Sequence, residues 1–161
     1  MVEDLNIVNS RATLAELVQD FIDDGEFEND PRWVVRWTLN QFARNDYDTF
    51  DRHMRQTALD DPPPIVGHAG WDGFFAALAD YLTERDNLIR PDWLDDKTRR
   101  NTGPVFYPAN NHRNHEHLQQ RLAQDPAPWF TERGVGLVLR SLPSGHGKHI
   151  PAQLPDRYRR L

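Results

Sequence analysis

Residues Pro62 to Trp93 read PPPIVGHAGWDGFFAALADYLTERDNLIRPDW, and the helix they encode organises the rest of the chain. Trp71, Phe74, Phe75, Leu78, Tyr81, Leu82 and Arg85 recur at spacings of three and four, the stripe of an amphipathic helix. Ala76, Ala77 and Ala79 between them are strong helix formers. The three prolines set the start, Asn87 offers a left-handed stop, and Pro91 forbids resumption. The spacing therefore predicts a core helix over about residues 69–86. Its aromatic and leucine side chains supply apolar area worth roughly 25 cal/mol per Å² on burial.

Upstream the signals are helical as well. Thr13 and Glu16 form a Thr-x-x-Glu capping pair ahead of Leu14, Leu17, Val18, Phe21 and Ile22, closed by Asp23-Asp24-Gly25. Asp30-Pro31 gives a cap followed by proline at the first helical position. Val34, Trp37, Thr38, Gln41 and Phe42 then share a face, with Trp33 beside them, to about Arg44. Asp46 or Asp48 is expected to cap a third helix holding Tyr47, Phe50, Met54, Thr57 and Ala58. Residues 1–12 read as a loose arm.

Downstream of Trp93 the pattern weakens. Asp95 to Arg100 suggests a short helical extension, broken by Asn101-Thr102-Gly103-Pro104. Asn111 is placed to cap a helix through Leu118, Leu122 and Ala123, and Pro128-Trp129-Phe130 begins another turn. Val135 to Leu139 is the single expected strand. From Pro143 the chain loses periodicity and is rich in Gly, Pro and basic residues, which predicts a basic flexible tail over 143–161.

Composition bounds the function. The 161 residues suit one domain with a core of its own, and five tryptophans and eight phenylalanines argue against disorder despite a mean hydropathy of −0.78. The absence of cysteine excludes disulfides, thiolate zinc sites and cysteine nucleophiles. No run reaches the roughly 18 apolar residues of a membrane span, and MVEDLN does not read as a signal peptide, so a cytoplasmic protein without membrane contact is expected. The net charge of −6 argues against nucleic acid as a direct partner. It is unevenly placed: residues 1–60 hold 13 acids against six arginines, whereas Arg140, Lys148, Arg157, Arg159 and Arg160 face one acid, Asp156.

Four constellations bear on chemistry. His112, His115 and His117 lie beside Glu116, and on a helix His112 shares a face with His115 and Glu116, a spacing that suits zinc, nickel or iron. A further ligand would have to come from His53, His68, His146, His149 or a carboxylate, and the order is not that of His-Glu-x-x-His. Ser144 to His149 falls short of a phosphate loop, with Leu142 at the first glycine and His149 in place of Ser/Thr. Arg32, Trp33 and Arg36, or the tail arginines, are candidates for nucleic-acid contact, although no helix-turn-helix is evident. Trp93, Trp129 and Phe130 lie in proline-bordered loops and, with Arg133, are the residue types that anchor protein interfaces. No catalytic residue and no cofactor is expected.

The run from Pro62 to Trp93, with its proline lead, Trp71-Asp72, the alanine-rich AALADYL segment and Pro91-Asp92-Trp93, resembles a bacterial, especially actinobacterial, family of small helical proteins. Ala127 to Val135, APWFTERGV, is similar to that family's closing proline, aromatic, arginine and Gly-Val segment. Its members are antitoxin-like neighbours of AbiEii-type nucleotidyltransferase toxins, some with a helix-turn-helix domain in front. The resemblance covers roughly Pro62 to Leu142 and departs in His112–His117 and beyond Pro143. It implies a non-catalytic toxin–antitoxin partner that masks a toxin's working surface.

Together these readings predict a mainly α protein: a single-domain irregular bundle of five or six helices over 1–142, with a loop-rich C-terminal part and at most one short strand pair. The expected function is antitoxin-like binding and neutralisation of a cognate nucleotidyltransferase-like toxin by protein–protein interaction. The alternatives are a metal-binding domain or metal-dependent enzyme built on His112, His115 and Glu116, and a DNA-binding transcriptional regulator.

Overall fold

The computed structural model describes residues 13–108 and 115–145. The fold is mainly α, and its backbone packs into two compact units, Met1–Pro64 and Ile65–Leu161.

In the first unit, α1 (Leu14–Asp23) starts where the Thr13 hydroxyl accepts the Glu16 N–H at 3.1 Å, and it buries Leu14, Leu17, Val18 and Phe21. Gly25, at φ 65°, turns the chain into a short helix the sequence did not signal, α2 (Glu26–Asn29), whose Phe27 meets Phe21 edge to face at 5.9 Å. Asp30 caps α3 (Pro31–Arg36) through the Trp33 N–H, with Pro31 in the first turn. The helix then continues as a π-helix, Trp37–Asp46. The buried residues fall in pairs four apart, Val34–Val35, Thr38–Leu39 and Phe42–Ala43, as a wider i→i+5 turn favours. Trp37, expected on the buried face, is only half-buried.

The third helix does not start at Asp46 or Asp48. Tyr47–Thr49 is a 3₁₀ turn, and α4 (Arg52–Asp60) begins only after Asp51, whose carboxylate accepts the Met54 N–H at 2.8 Å. The cause is a local competitor. Arg55 donates to the Phe50 and Asp48 carbonyls at 3.0 and 2.9 Å and lies over the ring of buried Tyr47, pinning the turn apart from the helix.

In the second unit α5 (Ala69–Arg85) is the central element. The His68 ring caps it, Nδ1 accepting the Trp71 N–H at 3.3 Å. Its end follows the Schellman pattern: Asn87 at φ 53°, with Leu88 N–H donating to Thr83 and Asn87 N–H to Glu84. The helix is not amphipathic in place, since the fourteen residues Gly70 to Thr83 are all buried. Its polar residues survive burial through partners. Asp72 accepts the Val66 N–H at 2.8 Å, and Asp80 is held by Arg90 and Arg133.

Beyond α5 come a 3₁₀ turn (Asp92–Asp95), α6 (His115–Gln124), α7 (Pro128–Thr131) and a 3₁₀ turn (Leu139–Ser141). Residues Lys97 to Arg100 are not helical. The strand expected over Val135–Leu139 does not form. Val135 and Val138 make only isolated bridges, to Phe106 and Pro126, because Phe106 is followed within two residues by Pro108 and Pro126 carries no N–H to extend a ladder. At the expected start of the tail, Pro143 and Ser144 are buried, and the Pro143 carbonyl accepts from the Tyr81 hydroxyl and from Arg85. Residues 1–12, Asn111 and 146–161 lie outside the described residues.

Candidate functional site

Three of the four side chains expected to anchor a partner are interior. Trp129 is 1% exposed, Phe130 0% and Arg133 2%. Proline-bordered sequence suggested loops, but Pro128 opens α7, and α7 packs on α5. Trp129 stands edge to face on Tyr81 at 4.8 Å and donates its indole N–H to Glu84 at 3.2 Å. Phe130 meets Phe74 at 5.8 Å. Arg133 pairs with Asp80 at 3.0 Å and donates to the carbonyls of Trp129 and Leu94, so its charge is neutralised and its N–H groups are used. These residues cover the core helix, which corrects their assignment as surface anchors.

Trp93 differs. It is half-buried, and the Arg99 guanidinium lies 5.0 Å from its ring centroid. Arg99 is buried against Asp96, with 3.5 Å between Nε and the carboxylate. The Thr98 backbone N–H and hydroxyl, with Arg99 behind them, hold the Asp96 carboxyl below its ordinary value. Arg90 links this loop to the core, donating to Asp80 at 2.6 Å and to Asp95 at 3.0 Å. Burial opposes the Arg90 cation, and the two carboxylates outweigh it, raising its pKa.

The histidine segment is only partly described. His112 and the side chain of His115 lie outside the described residues, while Glu116 and His117 are exposed on α6. His68 caps α5 and packs 5.0 Å from Phe106, and His53 is exposed on α4. Among the described residues no three His, Asp or Glu side chains stand together as a metal site requires.

One cavity was not legible in the sequence. It measures about 280 Å³ and lies between α6 and the Phe106–Val135 bridge, lined chiefly by Val105, Tyr107, Leu122, Ala123, Pro126 and Val135. Three separate segments assemble it, so no local spacing announces it. Among the described residues its lining is mainly apolar and holds no carboxylate or imidazole, which suits it to an apolar group.

The chain matches no protein family, no curated protein and no solved structure. Among the described residues no helix is long and apolar enough to cross a membrane.

Proposed function

We propose that the chain is a non-catalytic, antitoxin-like cytoplasmic protein that binds and neutralises a nucleotidyltransferase-like toxin. The observation that supports this reading is the meeting of the two segments that carry the family resemblance. Pro62–Trp93 and Ala127–Val135 are separate in sequence, yet Asp80 pairs with Arg133, Tyr81 with Trp129 and Phe74 with Phe130 in one buried interface. Their distinctive residues are thus spent on architecture, as befits a motif without reactive groups.

Recognition is then electrostatic at long range and aromatic at short range. Asp23, Asp24, Glu28, Asp30, Asp60 and Asp61 are all exposed, and they complement the basic groove that a nucleotide-handling enzyme presents. Trp93 is the anchor that remains at the surface. The test is co-expression of the tagged chain with the product of the adjacent gene. A complex that weakens as salt rises, together with rescue from that product's toxicity, is the expected result; no complex at low salt overturns the reading.

A further inference from the structure

The helix formed by α3 and the π segment carries a surface unlike the rest of the chain. Between Pro31 and Asn45 there are three arginines and no acid, although Asp20, Asp23, Asp24, Glu26, Glu28 and Asp30 precede it and Asp46, Asp48 and Asp51 follow. Arg32 and Arg36 are exposed, one turn apart, about 6 Å along the axis. Among the described residues neither stands in an ion pair. Trp33, 42% exposed, lies beside them with its ring 4.8 Å from that of half-buried Trp37. Further along, exposed Asn40 accepts from Arg44.

We propose that the face bearing Arg32, Trp33, Arg36 and Trp37 binds single-stranded nucleic acid. Planar guanidinium groups match phosphate oxygens bidentately, and an exposed indole offers a π-face on which any base can stack. The two chemistries alternate here at i and i+4, so a strand laid along the helix meets both. The acidic segments on either side confine the contact to a few nucleotides and exclude a duplex, whose phosphates would reach them. An acidic protein segment would satisfy the arginines but leave the tryptophan pair without a stacking partner. The net charge of −6 describes the whole chain; this helix opposes it locally. The proposal is independent of the antitoxin reading, because its test uses the chain alone.

The experiment is fluorescence anisotropy of a labelled oligouridylate of about ten nucleotides titrated with the full chain at low salt. Binding is expected to weaken at least about fivefold in Trp33→Ala and to be largely retained in Trp33→Phe. The slope of log K against log salt should fall by about 1.4 in the Arg32→Gln/Arg36→Gln variant, about 0.7 for each phosphate no longer neutralised. The three substituted positions, Arg32, Trp33 and Arg36, are exposed, and far-UV circular dichroism checks that the variants fold. No binding at low salt, or binding indifferent to these substitutions, overturns the proposal. Polyglutamate of equal charge competing as well as the oligonucleotide would also overturn it, and would assign the face to an acidic protein.

Discussion

Arg133 and Asp80 form an ion pair of 3.0 Å in which both side chains are almost wholly removed from solvent, at 3% and 6% exposure. Removing Asp80 strands the Arg133 charge in the interior, and removing Arg133 leaves Asp80 with only the half-exposed Arg90 as its ion-pair partner. Asp80→Leu or Arg133→Met is therefore expected to lower the unfolding free energy by about 3–5 kcal/mol. The double variant Asp80→Leu/Arg133→Met should recover much of that stability, since no charge is left unpaired. Urea denaturation of the parent, Asp80→Leu, Arg133→Met and the double variant measures the coupling; losses that add up in the double variant would mean the pair does not act as one unit.

Trp129 and Trp93 should separate folding from binding. Trp129→Ala removes a fully buried ring and is expected to cost about 3–5 kcal/mol of stability. Trp93→Ala removes a half-buried one and, on the antitoxin reading, should lower affinity for the toxin by about 2 kcal/mol with a smaller change in melting temperature. Calorimetric binding beside thermal melts distinguishes them.

Gly134 has φ 72°, and a Cβ there would run into the Asn101 carbonyl oxygen. Gly67 has φ 90° with open space around it. Gly134→Ala therefore combines backbone strain with a collision and should cost more than about 2 kcal/mol, whereas Gly67→Ala carries strain alone, about 1 kcal/mol. Comparable midpoints for the two would contradict the packing described around Asn101.

The hydroxyl of Thr38 is fully buried and finds no hydrogen-bond partner among the described residues. Thr38→Val keeps the shape and removes the unsatisfied group, so the variant should be more stable by about 1 kcal/mol. A drop in stability would place an unseen partner at that oxygen.

Two carboxylates should give opposite pH signatures. The Asp96 carboxyl is held below its ordinary value, chiefly by Thr98, so its contribution is present above the unfolded pKa and is lost as pH falls through the folded one. Thr98→Val should accordingly be less stable than the parent near neutrality and converge with it in acid. Burial raises the Asp46 carboxyl despite its bond from Gln41, so that group favours the folded state more as pH falls. Asp46→Asn should flatten that part of the profile. Side-chain carboxyl shifts followed by NMR check both directions.

The features legible in the sequence are those whose cause is local. The Thr13 cap, the Asp30-Pro31 start, the left-handed stop at Asn87 and the extent of the helix Ala69–Arg85 each depend on a few neighbouring residues. The start of α4 is not legible in the same way, because Arg55 reaches back to two carbonyls and isolates the turn at Tyr47. No short-range rule weighs that interaction against the caps available at Asp46 and Asp48.

Local sequence was enough to specify the helical class, the central helix and the places where the chain cannot continue one, because backbone propensity and capping act over a single turn. The packed structure was needed to turn Trp129, Phe130 and Arg133 inward, to bury Asp72 and Asp80 with partners, and to open a cavity beside Val135. Burial is a property of what packs opposite a residue. Arg133 lies far along the chain from Asp80, and only the folded backbone brings the two charges together where water no longer screens them.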